Sequence, residues 1–298
     1  MKPAPFDYAL ASSIDEAVQL LADRDGDAII LAGGQTLMPM LSMRLARPEL
    51  VVDINEIAEL SGILDGPDGV TIMACTRQVT ALTSLVVHQR LPLLTRAISN
   101  VGHLQTRNRG TVGGSLAHAD PAAEIPLTAL TLDAEVTLCR VGASRRVAMA
   151  DYFLGPMMTA REPEELLVSL HFPVGDAALR WGCSFHEVSE RHGDFAIVAV
   201  AAQIGLDGDG VCRAAAVAFG GVDACPLRIG ALEAALIGQV IGAAMIPGAL
   251  TPALDTIAGA IDPSSDQHAS AGYRRRVART LAERTITEAA AEADGGGA

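Results

Sequence analysis

The sequence predicts an α+β protein with two small α/β lobes, about 1–57 and 58–175, a C-terminal unit of antiparallel sheet and helices at 176–288, and a flexible tail at 289–298. Three observations carry this. Short apolar runs end twice in paired glycines, in "AIILAGGQT" and "RGTVGGS". Strand and helix signals alternate as far as Val174. Beyond it, "CSFHEVS", "FAIVAVAAQIGL" and "VCRAAAVAFGG" follow one another as strands before the chain turns helical, the pattern of a helical layer over an antiparallel sheet.

The elements follow in order. Ser13 with Glu16 three residues on forms a capping box, and Ile14, Ala17, Val18 and Leu21 then share one helical face. Ala28 to Ala32 is a short buried strand. Leu37 to Leu45 is a helix with Pro39 tolerated in its first turn. "ELVVDI" and "GVTIMA" are strands, and "TALTSLVV" and "PLLTRAIS" are helices. After the second glycine motif come the helix "PLTALTLD", the strand "AEVTLC", and the strand "ELLVSLHFP" ended by Pro173. "DGDG" is a hairpin turn between the last two C-terminal strands, and "RIGALEAALIG", "TPALDTIAGAI" and "AGYRRRVARTLAERTI" are helices. No internal repeat is present.

At 298 residues, half of them apolar, the chain can bury two or three cores. No uncharged apolar run reaches bilayer-crossing length, and "MKPAPFDYAL" lacks a signal core, so a cytoplasmic location without a membrane span is expected. The five cysteines, Cys75, Cys139, Cys183, Cys212 and Cys225, have no C-x-x-C spacing and read as small buried apolar residues. A net charge of −13 with 3% aromatics argues against nucleic acid, which needs a basic footprint and stacking platforms. Lys2 is the one lysine, so the P-loop lysine is missing and the usual nucleotide triphosphatase reading falls.

Neither glycine motif has Rossmann G-x-G-x-x-G spacing. A lone glycine pair is most often a tight turn. Two of them, each after a strand-like approach and each with a hydroxyl residue (Thr36; Thr111 and Ser115), offer clustered backbone N–H donors with no Cβ to block approach. A dinucleotide diphosphate held between them is the economical inference in a chain almost without lysine.

"AGGQTLMPMLSMRLARPELVVDIN" together with "RNRGTVGGSLAHADPAAEIPL" resembles the FAD-binding medium subunit of molybdenum hydroxylases, the family of carbon monoxide, nicotine and caffeine dehydrogenases and of the flavin part of xanthine dehydrogenase. The resemblance extends through "DYFLGPMMT", "EELLVSLHFP", "GDFAIVAVAA" and "PLRIGALEAAL" to nearly the whole chain. It implies the two-lobed FAD fold of vanillyl-alcohol-oxidase type followed by a C-terminal α+β domain. It further implies non-covalent FAD, with the backbone of Ala32, Gly33, Gly34, Gln35 and Thr36 around the diphosphate and Leu37 beside it. Thr111, Gly113, Gly114 and Ser115 match the second diphosphate segment, and Asp120 and Glu124 the acidic segment near the ribityl and ribose hydroxyls. Many relatives carry Asp in place of Glu124. Val101 and Leu167 match apolar positions around the flavin or adenine, and Asp194 and Phe195 a segment that approaches the isoalloxazine, though the residue at 195 varies in the family.

Other signals weigh less. "HEVSERH" fails the zinc-helix spacing, since position 190 is Glu, and it reads as strand. His103 and His118 flank the second motif either as structural polar groups or as flavin contacts. "RNRG" (Arg107, Asn108, Arg109) braces the loop or binds phosphate, and both readings stay open. "YRRRVAR" reads as a solvated or interface face, and Met38, Met40 and Met43 as packing. No catalytic or metal-ligating residue is assigned.

The resemblance implies an electron-transfer subunit of an oxidoreductase complex. A large molybdopterin subunit would oxidise the substrate, a small subunit with two [2Fe-2S] clusters would relay the electrons, and FAD here would pass them to an external acceptor. A dimer of heterotrimers is one assembly this allows. The chain lacks the cysteine pattern of a [2Fe-2S] cluster, so those groups belong to separate chains. Two alternatives stand beside it: a stand-alone flavin reductase on the same FAD fold, and a non-catalytic nucleotide-binding assembly module.

Overall fold

The computed structural model describes residues 2–24, 26–242 and 248–295, and the chain divides into two compact units. One comprises Met1–Arg90, His103–Ala119 and Ala134–Phe172; the other comprises Leu91–Gly102, Asp120–Asp133 and Pro173–Ala298.

The first unit opens with a parallel sheet of β1 (Asp7–Leu10), β2 (Ala28–Leu31) and β3 (Leu50–Asp53), with β3 central. Leu50 lies opposite Asp7 on one side and Ala28 on the other, so the three strands end level at Leu10, Leu31 and Asp53. β1 gives little sequence signal because it is an edge strand with mostly exposed side chains. Helix α1 (Ile14–Ala22) crosses between β1 and β2 and buries Ala17, Val18 and Leu21 against Leu50 and Val52. Its cap differs from the expected box in one respect. Ser13 Oγ accepts from Glu16 N at 3.1 Å, but the Glu16 carboxylate turns to Ser12, accepting from its N–H at 2.8 Å and its hydroxyl at 2.6 Å. Helix α2 (Leu37–Ser42) is shorter than the Leu37–Leu45 expected, since Arg44 takes the left-handed conformation (φ 60°) that ends it.

The second lobe of this unit is a five-stranded sheet. Its strands are β4 (Ile63–Gly66), β5 (Gly69–Met73), β6 (Glu135–Arg140), β7 (Ala143–Ala148) and β10 (Leu166–Pro173), in spatial order β4-β5-β10-β6-β7. A small hairpin of β8 (Phe153–Gly155) and β9 (Met158–Thr159) follows α9 (Met149–Tyr152). The single helix expected over 80–87 is two, α3 (Gln78–Thr83) and α4 (Leu85–Arg90), because Ser84 between them is extended (ψ 126°). α6 (Leu104–Arg109) and α7 (Val112–His118) complete the lobe. α7 occupies the stretch expected to be a glycine loop. The two lobes share a core in which Leu21, Val52, Ile54, Leu60, Cys75 and Leu166 pack together.

The second unit is an antiparallel sheet in sequence order: β11 (Arg180–Val188), β12 (Val198–Leu206), β13 (Cys212–Gly220) and β14 (Leu227–Arg228). The β12–β13 turn is the predicted one, with Asp207 Oδ1 accepting from the N–H groups of Asp209 and Val211, both at 3.0 Å, and Gly210 at φ 75°. Side chains of β12 alternate. Val198, Val200, Ala202, Ile204 and Leu206 pack with α13 (Ala271–Ala293). Ala199 and Ala201, also fully buried, take the opposite face, where Leu127 of α8 (Glu124–Thr131) approaches Gly220 beside Ala199. α5 (Pro92–Asn100) joins α8 there, which is why 91–102 and 120–133 group with the C-terminal elements. The helix expected over 251–261 breaks at Thr256 into α11 (Thr251–Asp255) and α12 (Ile257–Ala260), and α10 (Gly230–Leu236) precedes them.

α13 runs on to Ala293, into the tail expected to be flexible from 289. Ala289, Ala290 and Ala293 are buried, and Gly182 of β11 lets the helix sit so close that a Cβ there would collide with Ala289 O and Ala293 N. Residues 296–298 lie outside the described residues. Nor is "YRRRVAR" simply a solvated face. Arg274 is 7% exposed, donates to the carbonyls of Ile197 and Gly221, and meets Asp266 at 2.6 Å.

Candidate functional site

The first glycine segment leaves the carboxyl end of β2 beside the carboxyl end of β3, since Leu31 pairs with Asp53. In parallel sheets that edge is where ligands bind, because the strand ends leave a crevice there. Gly34 sits at φ 70°, a conformation that disfavours a Cβ. A Cβ on Gly33 would stand 2.5 Å from Arg109 O and 2.8 Å from Gly110 Cα, so this segment lies directly against the residues that lead into the second motif.

The five backbone N–H groups from Gly33 to Leu37 have no hydrogen-bond partner among the described residues. Consecutive amides left free in this way form an anion-binding concavity. Gly33, Gly34 and Gln35 line an open cavity of about 420 Å³ with Met38, Asn55 and Arg109 among its other walls. The Thr36 hydroxyl makes no capping bond to α2.

Asn55 organises the wall. Its Nδ2 donates to Ala32 O at 2.8 Å and to Asp53 Oδ1 at 2.6 Å, and its Oδ1 accepts from Arg77 Nη2 at 2.7 Å. Arg77 Nη1 in turn donates to the carbonyl of Arg109. Asp53 is held from both sides, by Asn55 and by the Tyr8 hydroxyl at 2.8 Å. Sequence reasoning did not single out Asn55, Arg77, Asp53 or Tyr8. The one local signal was the "DIN" that ends β3.

The second motif has a different character. Buried Thr111 is the N-cap of α7, its hydroxyl accepting from Gly114 N at 3.0 Å. Gly113 N donates to Ala74 O at 2.9 Å, and Ser115 N to Thr111 O at 3.2 Å. The amides of Gly113, Gly114 and Ser115 are thus engaged within the chain. The glycines serve close packing: a Cβ on Gly113 would stand 2.6 Å from Ala74 Cβ, and one on Gly114 2.6 Å from Thr111 Oγ1. Ser115 Oγ makes no hydrogen bond among the described residues. Leu167 is buried within β10, at a register irregularity against β6.

The remaining candidates lie in the second unit. Val101 follows α5, half-buried, its N–H on Ile98 O at 3.1 Å. Asp120 Oδ1 accepts from Ala122 N at 2.8 Å in a local turn. Glu124 begins α8 and is 5% exposed; burial pushes its carboxyl up to about 8, with Glu187 and Asp120 adding repulsion. Glu187, on β11, is pushed up to about 7 by burial, and its Oε2 is buried without a hydrogen-bond partner. Asp194 Oδ2 meets Arg191 Nε at 3.1 Å, and Phe195 is 63% exposed on the β11–β12 connection. His186, from the rejected zinc motif, pairs with Glu288 at 2.5 Å.

What the first unit's arrangement can do is hold a polyanion by backbone amides where side chains do not obstruct it. Comparison with known proteins gives that capacity a context. Residues 4–175 match a family described as the FAD binding domain in molybdopterin dehydrogenase, and residues 183–289 match the CO dehydrogenase flavoprotein C-terminal domain. The chain is 39% identical, over 97% of its own length and 96% of the relative's, to the 6-hydroxypseudooxynicotine dehydrogenase complex subunit alpha of Paenarthrobacter nicotinovorans. It is 32% identical to the carbon monoxide dehydrogenase medium chain of Hydrogenophaga pseudoflava, covering 97% and 98% of the two chains. Among solved structures, carbon monoxide dehydrogenase from Hydrogenophaga pseudoflava superposes with a TM-score of 0.91 at 34% identity, covering 97% of this chain and 98% of that one. Quinoline 2-oxidoreductase from Pseudomonas putida 86 does so with a TM-score of 0.91 at 34% identity, covering 99% and 100%.

Proposed function

The chain belongs to the family of FAD-binding medium subunits of molybdenum hydroxylases, and on that premise we propose that the backbone N–H groups of Gly33 to Leu37 hold the FAD diphosphate. It is the FAD-carrying subunit of an oxidoreductase complex, and molybdenum and iron–sulfur groups reside in other subunits of such complexes. Bound FAD supplies the electron-carrying chemistry. The chain's own part is to bind and orient it.

The observation that carries the assignment is the run of five backbone amides without a partner among the described residues, beside a cavity at the carboxyl edge of a parallel sheet. The two motifs then divide the work. Gly33 to Leu37 donate to the diphosphate, while Thr111, Gly113 and Gly114 shape the start of the helix that follows Gly110; Ser115 Oγ is a further donor. For Val101, Asp120, Glu124, Leu167, Asp194 and Phe195, family resemblance supports a role as cofactor residues.

The proposal extends to a cytoplasmic heterotrimer with a large molybdopterin subunit and a small [2Fe-2S] subunit, two heterotrimers associating as a dimer. No helix among the described residues is long and apolar enough to cross a membrane. Purified chain should release unmodified FAD on acid denaturation. Co-expressed with both partner subunits, it should show flavin bleaching by the complex's substrate, which the isolated chain should not show. Flavin retained covalently after denaturation, or substrate turnover by the isolated chain, would contradict the assignment.

A further inference from the structure

Every arginine in this chain but one has a partner among the described residues. Arg77 is spent on Asn55 and on the carbonyl of Arg109, and Arg44 and Arg47 bond backbone carbonyls. Arg161 donates to carbonyls, Arg276 bonds Gly272 O, and Arg107 is engaged as well. The others form ion pairs with acidic side chains. The exception is Arg109. Its carbonyl is held by Arg77, but its guanidinium makes no hydrogen bond, ion pair or ring contact, and the residue lines the cavity of Gly33, Gly34 and Gln35.

In a chain of net charge −13, a cavity-lining arginine whose guanidinium has no partner among the described residues stands out. The acidic residue that lines the same cavity, Asp53, does not account for it. Asp53 already accepts from Asn55 N, Asn55 Nδ2 and the Tyr8 hydroxyl, and it forms no ion pair with Arg109. Five amides are dipoles without net charge, so a doubly negative diphosphate bound by them alone would lack a counter-charge. A guanidinium supplies one in a planar fork that matches two phosphate oxygens.

We propose that the Arg109 side chain is the cationic ligand of the cofactor's diphosphate and that Arg77 is the positioning residue that fixes its backbone against Gly33. This deepens the FAD assignment and rests on it. The two roles divide by atom: the Arg109 carbonyl joins the wall, and the guanidinium stays available for the anion.

The test is calorimetric titration of the full-length chain, stripped of flavin, with FAD, ADP and riboflavin at two salt concentrations. Arg109→Gln should weaken FAD and ADP binding about tenfold, the scale of one charge-assisted hydrogen bond, and leave riboflavin binding unchanged. Added salt should weaken FAD binding to wild type more than to Arg109→Gln. Arg109→Lys should recover part of the loss, since it keeps the charge but not the fork. FAD and ADP dissociation constants within about twofold of wild type in Arg109→Gln, with unchanged salt dependence, would overturn the proposal and leave the FAD assignment standing. An equal loss for riboflavin and ADP would also overturn it, pointing to a collapsed loop. A wild-type chain that binds no FAD would overturn the FAD assignment itself, and the proposal with it.

Discussion

Arg77 Nη2 donates to Asn55 Oδ1 at 2.7 Å, and through this one contact the two glycine motifs become a single wall: Asn55 holds the carbonyl of Ala32, and Arg77 holds that of Arg109. Asn55→Ala should therefore loosen both motifs at once. Loss of a buried or half-buried hydrogen-bonded amide costs about 1–3 kcal/mol. Urea denaturation with and without FAD measures it. The expected result is a moderate loss in the apo chain and a larger one in the FAD-bound chain. Equal losses in both would mean that the contact braces the fold and does nothing for the cofactor.

The glycines of the two motifs should fail differently. Gly34 adopts φ 70°, and a Cβ there would meet only flexible side chains, Met38 Cγ at 3.1 Å and Leu31 Cδ1 at 3.3 Å. Gly34→Val should lower FAD affinity roughly tenfold through backbone strain of about 1–2 kcal/mol, with a modest effect on apo melting.

Gly113→Val should act first on the fold, because its side chain would overlap Ala74, whose Cβ would lie 2.6 Å from the new Cβ. Overpacking of this kind costs about 1–3 kcal/mol or more, visible as a lowered apo melting temperature. An unchanged apo melting temperature combined with lost FAD binding would contradict the packing account of the second motif.

Glu187 and Glu124 make stability depend on pH. Burial pushes their carboxyls from the ordinary 4.5 to about 7 and about 8. A group whose folded pKa is raised contributes stability fully below its unfolded value and loses it as pH rises through the folded one. Apo stability should therefore decline between about pH 5 and pH 8, and Glu187→Gln should flatten that decline. Glu288 acts in the opposite direction. Burial works against its ionisation, but hydrogen bonds from His186, Arg284 and Ser184 hold it down to about 2, so its contribution is lost only as pH falls below about 4.5. Denaturation midpoints of wild type and Glu187→Gln across pH 4.5–8 separate the two. Parallel curves would rule out the Glu187 contribution.

Truncation after 288 should destabilise the second unit strongly. It removes buried Ala289, Ala290 and Ala293, and it removes Glu292, which pairs with Arg96 at 2.6 Å and accepts from Cys183 N at 3.0 Å on the open edge of β11. Thermal melting and solubility of the truncated chain are the readouts. A truncated chain that melts as the full chain does would show the segment to be dispensable.

Local pattern carried most of the elements. Ser13 and the Ala17–Val18–Leu21 stripe marked α1, successive strand-like runs marked β11 to β13, and "DGDG" with Asp207 and Gly210 marked the turn between the last two, because each of these signals lies within a few residues of itself. The paired glycines with their flanks pointed to a diphosphate, the ligand proposed for Gly33 to Leu37. Sequence could not tell that the two pairs do different work. Gly33 to Leu37 keep their amides free, whereas Gly113 and Gly114 spend theirs on Ala74 and Thr111, and that difference depends on a strand end nearly forty residues away from the second motif. Asn55 and Arg77 were silent for the same reason, since a hydrogen bond between residues 22 apart leaves no periodicity. The tail was misjudged because "EAAAEADGGGA" is small and polar in one dimension, and only Gly182 on a strand more than a hundred residues earlier opens the space that buries its alanines. Residue types and spacing determined which segments could form helix, strand and glycine turn. Which amides stay free, which glycines are there for packing, and which arginine stays unpaired were decided by tertiary contacts, because satisfying a donor or excluding a Cβ depends on what the fold brings alongside.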